Sequence, residues 1–166
     1  MAVSSGSARV TLPTDEQILI TREFDAPRHL VYKAYTTPEL VRRWWSGERG
    51  EVTSAEIDLR VGGAWRYVMV AHGDFEVAFH GEFREIVPDE RIVTTEVYEM
   101  PDAPPLAPAD EPLNIVTFTE VDGRTTLEIL VQTTTKELRD LIIDSGMEGG
   151  MQESMDRLEQ VAVSLR

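Results

Sequence analysis

The chain has 166 residues, 42% of them hydrophobic, a formal net charge of −14 and no cysteine. That length suits one domain of roughly 150 residues around one core, which we place at residues 15–166 behind a disordered leader at residues 1–14. The charge repels phosphate backbones, so nucleic acid is not an expected partner. The missing thiols exclude disulfides and thiolate catalysis and agree with a cytoplasmic setting. No apolar run approaches the ~18 to 20 residues that cross a bilayer, so no membrane partner is expected either.

In chain order, Gln17 to Phe24 alternates Ile18, Ile20 and Arg22 with Leu19, Thr21 and Glu23, the period of a strand. Asp25-Ala26-Pro27 ends it and opens a helix whose apolar face is Leu30, Val31, Ala34 and Tyr35. A second short helix begins at Thr37-Pro38 and reaches Trp44-Trp45. Strands follow at Val52–Leu59, Ala64–Val70, Phe75–Val87 and Arg91–Glu99, the middle two joined by a turn at His72-Gly73-Asp74. Residues 100–112 hold five of the nine prolines and read as an extended loop. Leu113–Val121 and Thr125–Thr133 flank Asp122-Gly123, a strong hairpin signal. Consecutive hairpins imply an antiparallel sheet.

The last thirty residues are helical. Thr135 is the expected N-cap, with Leu138, Leu141 and Ile142 on the first apolar face and a break near Asp144 to Gly146. Beyond it Met147, Met151, Met155, Leu158, Ala162 and Leu165 repeat at the spacing of one helix face. Glu148, Gln152, Glu153, Asp156, Arg157, Glu159 and Gln160 should face water. Such a stripe needs a broad receiver, and a curved sheet closing around it is the one the sequence supplies. Gly149 and Gly150 read either as close packing on that sheet or as a gap above a cavity.

On the sheet, strand parity puts Trp65, Tyr67 and Met69 inside with Phe79, Phe83 and Phe118, leaving His80, Glu82 and Arg84 in solvent. The parity of Ile92 carries Glu96 and Tyr98 inward. Glu96, if inward, is therefore a carboxylate in apolar surroundings, read as a ligand anchor or general acid–base, or else as half of an ion pair with an arginine or as exposed by strand twist. Together with Trp45, Met147, Met151 and Met155, these residues are the expected ligand lining, and Glu96 and Tyr98 the only catalytic candidates. Trp44-Trp45 is either a lid or a plug. His80-Gly81-Glu82 has the H-x-E spacing of zinc deaminases, but the cysteine ligands of such sites do not exist here. No metal or cofactor is expected. There is no Gly-x-Ser-x-Gly elbow, and Gly62-Gly63 does not lead into a helix as a phosphate loop would.

Four segments in order, EFDAPRHLVYKAYTTPELVRRWW, DLRVGGAW, HGEFREIVPDERIV and GMEGGMQESMDRLEQV, resemble the C-terminal domain family of activators of heat-shock protein 90 ATPase. That family lies in the helix-grip (START-like, birch-pollen-allergen-like, SRPBCC) superfamily, and the resemblance spans about Ile18 to Leu165. It implies an α+β helix-grip fold: a curved antiparallel sheet of about six or seven strands wrapped around the C-terminal helix, two short helices after the first strand, and a hydrophobic cavity between sheet and helix. A non-catalytic protein, monomeric or homodimeric, holding a small hydrophobic molecule is the expected function. The alternatives are a partner of heat-shock protein 90, in a stress-response role, and a cyclase, hydratase or hydrolase working through Glu96.

Overall fold

Alternating β-branched residues dominate the sheet, and their register explains its layout. In the computed structural model, which describes residues 8–72, 75–99 and 107–166, the strands are β1 (Arg9–Thr11), β2 (Gln17–Phe24), β3 (Gly50–Ile57), β4 (Ala64–Ala71), β5 (Phe75–Val87), β6 (Arg91–Thr95), β7 (Val97–Glu99), β8 (Leu113–Val121) and β9 (Arg124–Gln132). They form one open antiparallel sheet in the order β1-β2-β9-β8-β6-β5-β4-β3, with β7 pairing to β5. Ile20 opposes Ile129, Ile129 opposes Val116, Val116 opposes Ile92 and Ile92 opposes Ile86, a row of branched side chains across five strands. Such cross-strand pairs each contribute about 0.2–1 kcal/mol and fix the register, since a one-residue slip would turn the row to solvent. At the β8–β9 hairpin, Asp122 and Gly123 both have positive φ (52° and 77°), as a two-residue primed turn requires.

Helices α1 (Arg28–Thr36) and α2 (Pro38–Trp44) follow β2, and α3 (Lys136–Asp144) and α4 (Met147–Ser164) end the chain. Pro38 opens α2 at its first turn, and the Thr135 hydroxyl caps α3 by accepting from the Leu138 N–H. Gly146, at φ 82°, makes the expected break between α3 and α4. Met155, Leu158, Val161 and Ala162 of α4 are buried in one cluster with Ile18, Ile20, Phe24, Val31, Val116, Phe118 and Leu127. Burial of each large aliphatic side chain stabilises by about 1.5–3 kcal/mol, so this stripe seats the helix.

Several expectations change. Six or seven strands were expected and nine are present among the described residues: one of the additions is β1, and another arises because Arg91–Glu99 divides at Glu96, whose N–H donates to the Pro112 carbonyl instead of continuing a ladder. The leader is not disordered throughout. Ala8 is buried, its backbone exchanges two hydrogen bonds with the Gln152 side chain, and Arg9–Thr11 pairs with β2; residues 1–7 lie outside the described residues. The same holds for Gly73, Asp74 and residues 100–106 of the expected turn and loop. Leu141 is 66% exposed, because Arg139 is the residue α3 buries, its guanidinium donating to the Thr14 carbonyl at 2.7 Å.

Glu159, expected on the wet face of α4, is buried. Its carboxylate accepts from Arg22 Nη2 at 3.1 Å and from the Asp25 N–H at 2.9 Å, while Asp156 accepts from the same Arg22 nitrogen at 3.0 Å. Arg22 shares the inner parity of Ile18 and Ile20, so α4 must offer it a carboxylate there; a buried charge persists only when paired.

Candidate ligand site

The centre of the site is the joint at Glu96. Because β6 and β7 meet there without a continuous ladder, the side chain turns inward among residues of three other elements. Asn114 Nδ2 donates to its Oε2, and Asn114 reaches that position on the inner parity of β8, opposite Thr94 of β6 and Val131 of β9. Burial raises the Glu96 pKa above the ordinary glutamate range, and the Asn114 hydrogen bond opposes that rise.

Tyr35, from the last turn of α1, and Tyr67, from β4, are the carboxyl's phenolic neighbours. Burial pushes the Tyr35 phenol far up, and the Glu96 charge adds to it. Tyr67 is raised in the same way, first by burial, then by Tyr35, then by Glu96. All three groups are therefore close enough to feel one another in a medium of low polarity. None is sealed, however. Glu96, Tyr35 and Tyr67 are surrounded by protein, yet each keeps an intermediate share of accessible surface. A few polar groups set among aromatic rings and still open to water are a combination typical of small-molecule sites.

Aromatic rings flank this polar group. The half-buried Trp45 ring meets Tyr67 at 5.4 Å and Phe79 at 5.6 Å, both edge to face. Trp65 lies 4.8 Å from Tyr67, and its indole N–H donates to the Thr95 carbonyl, one residue before Glu96. That bond crosses Gly81, where a Cβ would lie 1.9 Å from the Thr95 oxygen. Trp44 is a plug: it is buried, stacks on Tyr35 at 5.4 Å and donates to the Ala34 carbonyl at 2.9 Å.

The expected lining thus divides. Trp65, Phe83, Phe118 and Met155 are buried in the core; Trp45, Tyr67, Phe79, Met147 and Met151 are half-buried against it. Met69 is half-buried between Val52 and Val77 and does not join that cluster. Tyr98 is 50% exposed, 4.9 Å from Phe79, so it is not enclosed with Glu96. Glu96 itself is in no ion pair among the described residues and is not at the surface. Sequence reasoning missed Asn114, although the parity of Val116 and Phe118 marks it. It also assigned Tyr35 to packing, and nothing local distinguishes that tyrosine. Gly149 and Gly150 pack on neither the sheet nor a gap: the Arg49 guanidinium lies along them, 2.8 Å and 3.3 Å from where their Cβ atoms would stand.

On the outer face, an open hollow of about 570 Å³ is lined by Glu56, Arg66, His80 and Glu99 with Ala64, Trp65 and Gly81. It is separate from the Glu96 site. Arg66 donates twice to Glu99 at 2.9 Å and His80 Nδ1 lies 2.8 Å from the same carboxylate. Arg66 foremost, then His80, hold the Glu99 pKa down at about 2. These charges are occupied with one another, and no cluster of metal-ligating side chains occurs among the described residues.

A sequence profile described as activator of Hsp90 ATPase homolog 1-like protein matches residues 25–162. The chain belongs to this family. Solved structures of similar fold include a Rhodobacter sphaeroides protein (21% identity, 96% of this chain and 99% of that one, TM-score 0.85) and one from Mycobacterium smegmatis (22%, 97% and 100%, TM-score 0.83). An Aeromonas hydrophila protein described as AHSA1-like is 19% identical over 89% of this chain and 93% of its own, with a TM-score of 0.64. At these identities the likeness shows the helix-grip fold alone. Among curated proteins there is no match. As a member of the Hsp90-ATPase-activator-like family, the chain keeps the sheet-and-helix frame. No helix among its described residues is long and apolar enough to cross a membrane.

Proposed function

We propose that this protein is a cytoplasmic carrier that holds a small, mostly apolar molecule between the sheet and α4, anchored at one end by Glu96. The observation that carries this reading is the Glu96, Tyr35 and Tyr67 group: enclosed by protein, still accessible, and bordered by the half-buried rings of Trp45 and Phe79. Half-buried Met147 and Met151 on α4 supply adaptable apolar contacts for the rest of the ligand. A carrier fits better than a catalyst, because burial holds the two phenols beside Glu96 in their protonated form and so makes them poor proton acceptors.

Met151→Trp tests the reading. Added bulk in an interior space should lower uptake of a fluorescent apolar probe and leave the melting temperature close to that of the parent. A filled core would lose about 1–3 kcal/mol to overpacking instead. A clear fall in melting temperature with unchanged probe binding refutes the carrier reading at this end of the helix.

A second reading, partnership with heat-shock protein 90, is supported by the description of the family and by the net charge of −14, which favours a basic docking surface on the partner.

A further inference from the structure

The hydroxyls of Tyr35 and Tyr67 have no hydrogen-bond partner among the described residues, although both rings are surrounded by protein. Their rings are held by neighbours: Tyr35 stacks on Trp44 and meets Phe118 edge-on at 5.8 Å, and Tyr67 is wedged between Trp45 and Trp65. Packing thus holds both rings in place and leaves their O–H groups without a protein partner among the described residues. Neither hydroxyl is among the side-chain atoms closed off from solvent, so water reaches both, and a ligand that displaces that water must answer the two donors in its place. Phenols at this depth stay protonated and offer donors. The third member, Glu96, has one oxygen answered by the Asn114 amide and also becomes a donor whenever it is protonated.

Among the described residues, no cation serves this cluster. The two buried arginines are engaged elsewhere, Arg22 with Glu159 and Asp156, and Arg139 with Asp140 and the Thr14 carbonyl. A carboxylate ligand would therefore lose its water, meet no positive charge and stand beside Glu96, an arrangement that disfavours like charges.

Building on the carrier reading, we propose that Tyr35, Tyr67 and Glu96 select uncharged ligands that present a ketone or similar carbonyl oxygen, and that the site turns away carboxylates. The carbonyl oxygen has two lone pairs and no proton of its own, which matches a pair of phenolic donors. The apolar remainder of the ligand lies against the aromatic rings and the α4 methionines.

Four naphthalene probes of similar size separate the possibilities: 2-acetylnaphthalene (ketone), 2-isopropylnaphthalene (its hydrocarbon isostere), 2-naphthoate and 2-naphthylmethylammonium. Binding is read by calorimetry on the full-length protein and on Tyr35→Phe and Tyr67→Phe. The ketone should bind about tenfold tighter than the hydrocarbon, the value of one to two net hydrogen bonds, and at least about tenfold tighter than the carboxylate. Each Tyr→Phe change should cut that preference roughly threefold or more while hydrocarbon affinity stays within about twofold, which also reports that the site is still folded. Equal affinity for ketone and hydrocarbon, a preference that survives both tyrosine changes, or tightest binding of the carboxylate or the ammonium overturns the inference and leaves the carrier reading standing. If none of the four binds, both fall.

Discussion

Gly81→Ala is the change whose consequence the geometry defines most sharply. A methyl group there would sit 1.9 Å from the Thr95 carbonyl oxygen and 2.5 Å from Trp65 Nε1, where ordinary contact begins near 3.4 Å. The nearest atom is backbone in the centre of the sheet, so a retreat of about 1.5 Å cannot be absorbed by a rotamer change. Strand β5 and strand β6 must part locally, at an overpacking cost of about 1–3 kcal/mol. The 3.2 Å hydrogen bond from the Trp65 indole to Thr95 is lost with both groups still buried, another ~1–3 kcal/mol. The expected loss is thus at least about 2 kcal/mol, a fall of roughly 4–8 °C or more in melting temperature for a chain of this size. Gly146→Ala is the control. It meets nothing within 4 Å and has φ 82°, so only the left-handed backbone penalty of about 1–2 kcal/mol applies. Denaturant unfolding of both variants, followed by tryptophan fluorescence, gives the comparison. If Gly81→Ala unfolds within about 0.5 kcal/mol of the parent, the close-approach argument is wrong. Because Thr95 directly precedes Glu96, the same variant should also bind apolar probes less well.

Two further outcomes are expected. Glu96→Gln should stabilise the protein at neutral pH and above: burial raises the folded-state pKa, so the parent's favourable term is complete below the unfolded value near 4.5 and is lost as pH rises through the folded one. Unfolding from about pH 4 to about pH 8 should show the variant's advantage growing with pH, and a difference independent of pH contradicts the placement of Glu96. Titration against a heat-shock protein 90 dimer at low salt should show binding that weakens as salt rises, if the second reading holds; no interaction and no change in ATP turnover removes it for the partner tested.

Much of the frame is written in local pattern. The bounds of β2, β5 and β8, the cap at Thr135 and the break at Gly146 all follow from alternation, a side-chain oxygen or a left-handed glycine, signals that span a few residues. Parity also points Glu96 inward, although the strand breaks there and the same parity fails at Tyr98. What stayed hidden depends on distant partners. Glu159 looks like any surface glutamate until Arg22, 137 positions away, is laid against it. β1 has little pattern of its own and exists because β2 presents a free edge and Gln152 holds Ala8. Tyr35 belongs to a packing face by period, and only the crossing of α1 over the sheet sets it beside a carboxyl.

The two halves of α4 are fastened by different means. Lifting the second half separates a buried guanidinium from Glu159, a step that costs about 3–5 kcal/mol when one charge is left behind. The first half is held by amide hydrogen bonds from Gln152 to Ala8, by the Ser154 hydroxyl on the Trp45 carbonyl, and by Arg49 at 3.7 Å from Glu153, half exposed. Water can replace each of these contacts, and an exposed ion pair is worth about 0–1 kcal/mol. Thermal opening of the helix should therefore start beside Met147 and Met151 and stop short of Leu158, so amide exchange should be fastest next to the α3–α4 joint.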